Sequence, residues 1–124
     1  MECALELENL VFDELQFIRT GFKSDREIKM SIEVNIGTNN IDALKKKVTI
    51  EFNGIKEGEY NIKVKISGFF SVSDEADEDL IQSNAVAIVM PYLRSQISLL
   101  TAQPGMEPIV LPPMNIVEML KEAE

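Results

Sequence analysis

Acid–base catalysis and nitrogen ligation of metals both lean on histidine, and this chain contains none. Its one cysteine, Cys3, has no second thiol to bridge with and no companion for a metal site, a usage that fits a reducing compartment. Carboxylates are abundant, 21 against 12 lysines and arginines, and two of them in a cleft could move protons. Nothing in the sequence sets up such a pair. The composition therefore predicts no catalytic residue, no metal and no cofactor, and it argues against an enzyme. What is left is recognition chemistry, carried by the stretch Asn84–Leu120 with its methionines and branched aliphatic residues.

The net charge of −9 argues against nucleic acid, because neutralising phosphates takes a basic stripe. It also disfavours an anionic membrane surface. The uncharged run Gln82–Leu93 is too short to span a bilayer, and the acidic start of the chain lacks the basic and apolar regions of a signal peptide. A cytoplasmic protein with one domain, residues 1–124, is the expectation.

The elements that must position the apolar stretch begin with strands. Between residues 4 and 20 apolar residues alternate, but the phase changes near Asn9, which predicts a bulge or bend in a long strand. Ile28, Met30, Ile32, Val34 and Ile36 keep strict period two, and Gly37–Asn40 has turn chemistry. Val48, Ile50 and Phe52 mark a third strand. After a turn at Asn53-Gly54 or Glu57-Gly58, a fourth carries Tyr60, Ile62, Val64 and Ile66 inward, with Asn61, Lys63, Lys65 and Ser67 outward. Four such strands joined by polar turns make an antiparallel sheet with one solvated face.

An acidic run, residues 73–79, then opens a helix from about Leu80 to Thr101, where negative charge suits the helix dipole. Val86, Val89, Met90, Leu93, Ile97 and Leu100 follow helical spacing, while Arg94, Ser98 and Thr101 form a polar strip. Ala85, Ala87, Ile88 and Tyr92 fill most of the remaining circumference of the first half. A helix apolar nearly all round needs cover on two sides, and one sheet supplies only one. The second layer is expected from another subunit, through Val86, Val89, Met90, Leu93 and Leu100. Pro91 should kink the helix or mark its true start. The prolines at 108, 112 and 113 keep the next segment irregular, and residues 114–122 restart as a short amphipathic helix. The fold class is α+β: a four-stranded antiparallel sheet followed by a long helix, a proline-rich loop and a short C-terminal helix.

That order resembles the SecB export-chaperone family. Gly68-Phe69-Phe70-Ser71-Val72 looks like the family's Gly-x-Phe-Ser-x closing the fourth strand. Met90-Pro91-Tyr92-Leu93-Arg94 resembles its Phe-Pro-Tyr-x-Arg, and Leu111-Pro112-Pro113-Met114-Asn115-Ile116 its Leu-x-Pro-x-Asn-Phe, at the family's spacing. The resemblance implies a homotetramer, a dimer of dimers packed through the long helices. It implies an ATP-independent chaperone, a holdase, that binds unfolded polypeptides in apolar grooves. The matching groove positions are Ile28, Met30 and Ile32, then Phe69, Tyr92 and Ile97, then Met106, Ile109, Leu111, Met114, Ile116 and Met119. Methionine and flexible loops suit such grooves, because adaptable side chains accept many sequences.

Export-dedicated members dock the motor SecA through acidic residues on the outer sheet face. Here Lys63 and Ile18 stand at two of those places and Glu14 is the remaining acidic candidate, which sets SecA docking in question. Family members also protect antitoxins, so a dedicated module for one antitoxin-like partner is the rival expectation. A hot-dog thioesterase is a third, disfavoured by the missing histidine and by Pro91 in the helix.

Overall fold

A computed structural model describes residues 5–22, 31–42, 44–72, 78–104, 106 and 108–111. These form strands β1 (Leu5–Arg19), β2 (Ser31–Asp42), β3 (Lys45–Lys56) and β4 (Tyr60–Val72), then helix α1 (Glu78–Thr101). The strands make one sheet in the order β1-β4-β3-β2, antiparallel throughout. The α+β architecture is the one the sequence pattern calls for. The expected short C-terminal helix, and Ile28, Met30, Met114, Ile116 and Met119, lie outside the described residues.

Period two decides which face each side chain takes. Val48, Ile50 and Phe52 of β3 and Ile62, Val64, Ile66 and Phe70 of β4 point to one face and are buried there beneath α1. From the helix, Ala85, Val86, Val89, Leu93 and Ile97 fill the same core, each no more than 1% exposed. A fully buried side chain of this size contributes roughly 1.5–3 kcal/mol, so this layer dominates stability. The helix can seat closely because Gly68 replaces a side chain at the contact. A Cβ there would lie 2.8 Å from Val89 Cγ2.

β1 keeps its apolar residues on the helix side by two bulges. The register to β4 slips between Leu7 and Asn9 and again between Phe12 and Glu14. Each slip shifts the alternation by one residue. Leu5 and Leu7, then Leu10 and Phe12, then Leu15 and Phe17 thus all oppose inward residues of β4. The first bulge is the phase change predicted near Asn9. The second was not anticipated; on the outer face Asp13 accepts a 2.5 Å hydrogen bond there from Ser67 Oγ, which is also 3.0 Å from Thr49 Oγ1. Ser67, expected to be solvated, is fully buried in that cluster.

The turns also differ from expectation in one place. Gly37 to Asn40 belong to β2, paired with Thr49 through Lys46, and the chain reverses after Asp42. Asp42 Oδ1 accepts the Leu44 amide at 2.8 Å, so a side-chain hydrogen bond stabilises the later turn. The β3–β4 reversal is at Glu57-Gly58. Glu59 donates its amide to the Lys56 carbonyl at 3.0 Å, and Gly58 has φ 81°, a conformation only glycine adopts without strain. Helix α1 runs on through Pro91, which is exposed on its outward side.

Candidate polypeptide-binding site

Beyond Thr101 the chain folds back along α1 as an irregular strap, and the polar strip of the helix holds it. Arg94 donates from Nη2 (3.0 Å) and Nε (3.3 Å) to the carbonyl of Leu111. Ser98 Oγ donates to the carbonyl of Ile109 at 2.7 Å, and the amide of Ile109 donates to Thr101 Oγ1 at 2.8 Å. Thr101 can accept because its own proton is committed to the Ile97 carbonyl at 2.9 Å. The strap alternates like a strand: Ile109 is half-buried, Val110 is 79% exposed, and Leu111 is 4% exposed within the core. Pro108 has no amide to donate, and the strap draws the hydrogen bonds described above from side chains of α1 rather than from a strand.

Between the strap and the outward side of α1 runs a groove of about 310 Å³, lined by Pro91, Arg94, Ser95, Ser98, Val110 and Leu111. Apolar side chains stand exposed on α1, Tyr92 at 48% and Leu99 at 67%, and Val110 stands exposed on the strap. The arrangement can hold an apolar segment by burial and by the hydroxyl and guanidinium groups along the floor.

The structure distributes the sequence-predicted site residues over several places. Tyr92 is exposed beside the groove, and Leu111 lines it from the core. Met106 and Ile109 are half-buried, and Met106 Sδ accepts from Arg19 Nη2 at 3.4 Å. Ile97 is fully buried beneath the helix and offers no surface. Ile32 lies on edge strand β2, 47% exposed. Phe69 is on the opposite sheet face, because the parity that turns Gly68 to the helix turns Phe69 away; Lys47 Nζ sits 5.4 Å from its ring centroid. Of the expected interface set, Val86, Val89, Met90 and Leu93 are consumed by the chain's own core, and Leu100 is half-buried against it. An interface on α1 would have to use the face of Ala87, Tyr92, Ser95 and Leu99 instead. Sequence reasoning missed Leu99, Val110 and the role of Arg94 and Ser98. The signal was available: a polar strip at helical spacing next to a segment whose carbonyls outnumber its amides.

On the outer sheet face Lys63 Nζ stands 3.2 Å from Glu14 Oε2 and 3.5 Å from Glu51 Oε1. The Glu14 hydrogen bond, aided by both carboxylates' charge, raises the Lys63 pKa above its ordinary value. Glu51 is lowered, first by the Asn53 amide bonded to it at 3.1 Å and then by Lys63. Among the described residues no helix is long and apolar enough to cross a membrane.

A four-stranded antiparallel sheet roofed by one long helix, with a proline-punctuated strap fastened to that helix, defines the class. The chain belongs to the SecB family: the family's sequence profile, described as preprotein translocase subunit SecB, matches residues 9–124. It is 31% identical to an uncharacterised protein of Methanocaldococcus jannaschii over 99% of this chain and 86% of the relative. Among solved structures it is similar to the SecB-like chaperone of Mycobacterium tuberculosis, determined in complex with a ChAD peptide from the HigA1 antitoxin. The TM-score is 0.72, with 13% identity over 90% of this chain and 91% of that one. A Streptococcus agalactiae protein of unknown function shares the fold at a TM-score of 0.52 and 10% identity, over 88% and 97% of the two chains.

Proposed function

We propose that this protein is an ATP-independent, non-catalytic chaperone that holds unfolded or unfolded-like polypeptide segments along the outward side of α1. The observation that carries the proposal is the exposure of the apolar side chains Tyr92 and Leu99 on α1 and of Val110 at the groove, in a chain of the SecB family. Such residues are held in contact with water at a cost that covering by a client's apolar side chains relieves, at roughly 25 cal/mol per Å² buried. The high negative charge keeps a protein with this surface soluble. Assembly as a homotetramer, a dimer of dimers, is part of the proposal, with contacts that leave Tyr92, Leu99 and Val110 open to clients. A cytoplasmic setting follows from the reducing cysteine usage. Glu14, the acidic candidate for docking SecA, is already paired with Lys63 at 3.2 Å and has less to offer that partner.

The M. tuberculosis relative with its bound antitoxin peptide favours a second reading, in which the same surface serves one dedicated antitoxin-like partner. Guanidinium-unfolded citrate synthase, diluted with an equal molar amount of this protein, should aggregate far more slowly by light scattering. No slowing at any ratio, with one stoichiometric partner recovered by affinity capture, would replace the holdase by the dedicated module.

A further inference from the structure

We infer that the strap, residues 108–111, occupies a seat for an extended polypeptide and must leave it before a client segment can bind there. The seat reads backbone and not sequence. Arg94, Ser98 and Thr101, at helical spacing on α1, hold the strap through its main chain: the Leu111 carbonyl, the Ile109 carbonyl and the Ile109 amide. Any peptide presents those same groups. The side chains that enter the core, Ile109 and Leu111, stand two residues apart, with the intervening Val110 turned to solvent. That is how an extended chain is recognised elsewhere, with affinity from main-chain hydrogen bonds and selection from pockets for alternate side chains. The ligand class is therefore an extended segment with branched aliphatic residues at every second position. The strap is its internal copy.

The strap's own sequence suits reversible occupancy. Pro108 and Pro112 bracket it and cannot donate amides, so release breaks side-chain bonds and leaves the sheet ladder intact. A site filled by its own chain binds an external ligand with an affinity reduced by the fraction of molecules in which it is open.

The inference rests on the chaperone reading, and a labelled peptide separates the two. The probe is a fluorescein-tagged synthetic copy of residues 106–113, titrated into the full-length protein by fluorescence polarisation. Replacing the strap's anchors, Ile109→Ser with Leu111→Ser, should tighten probe binding by about tenfold, as expected if the seat is open in roughly a tenth of molecules. Replacing the seat, Arg94→Gln with Ser98→Ala, should weaken it relative to the wild type. Equal affinity in the wild type and a strap variant with unchanged circular dichroism overturns the inference.

Should the strap variant not fold, the wild type decides by hydrogen exchange at the Ile109 amide, the one held by Thr101. Exchange should rise about tenfold once the probe is bound, because the strap has left. Unchanged exchange with bound probe overturns the inference, as does an absence of probe binding at millimolar concentration. If instead the chaperone reading is at fault, neither the wild type nor the strap variant protects unfolded citrate synthase, whatever the probe does.

Discussion

Lys63 of β4 reaches diagonally across the ladder to Glu14 of β1 on the open side of the sheet, with Nζ 3.2 Å from Oε2. Glu51 of β3 completes the arrangement at 3.5 Å, so one cation is shared by carboxylates on both neighbouring strands. A carboxylate already paired has less to offer a second cation from a partner. The same geometry sets how stability depends on pH. Glu51 is lowered from 4.5, chiefly by the Asn53 amide, so its contribution is present above that value and is lost as pH falls through its folded pKa. Lys63 is raised from 10.5 by Glu14, and burial raises Tyr60 from 10.0; both contributions are present below those values and fade as pH climbs past them. Urea midpoints should thus be flat between 4.5 and 10.0 and fall on either side. Tyr60→Phe should remove most of the alkaline fall and Lys63→Met a smaller part, since Lys63 is solvated. An alkaline limb unaffected by both changes would refute the assignment.

Gly68 marks the closest approach of α1 to β4. Gly68→Ala places a methyl 2.8 Å from Val89 Cγ2 and 3.0 Å from Phe70 Cε1. Val89 is stiff at χ1 and Phe70 is buried, so neither can step aside cheaply. The expected loss is about 1–3 kcal/mol in urea unfolding, typical of overpacking. Val89→Ala on its own should also destabilise, by emptying part of the core. The two changes together should cost less than their sum, because the second makes room for the first. Strict additivity would show that the helix seats somewhere else.

Leu99 is 67% exposed on the outward face of α1, away from the chain's own core. As part of the client surface, Leu99→Asp should weaken the protection of unfolded citrate synthase severalfold, with the mass seen by light scattering and the helical circular dichroism unchanged. Undiminished protection, or a fall in mass, would show that Leu99 is not a client contact.

Periodicity alone was enough to recover much of this molecule. The alternations around Ile50, Val64 and Phe52 name the inward face of β3 and β4, because a half-buried strand must alternate. The phase change near Asn9 announces the first bulge, and apolar spacing from Val86 to Leu100 outlines α1. The absence of histidine by itself narrows the chemistry open to the chain.

Other features depended on the partners that distant segments became. α1 is apolar on nearly every side, so sequence could not say that Val86, Val89 and Leu93 face inward while Tyr92 and Leu99 face out; seating against Gly68 chose the side. The turn after Asp42 replaced the one expected at Gly37–Asn40, because pairing with β3 recruited those polar residues into β2. Phe69 moved to the outer face by parity with its neighbour. The bonds from Arg94, Ser98 and Thr101 to the strap span 8 to 17 residues along the chain, and only packing decides such pairings. Local pattern settles which residues want to be covered. Tertiary structure decides what covers them, and here it assigned part of the apolar stretch 84–120 to the chain itself.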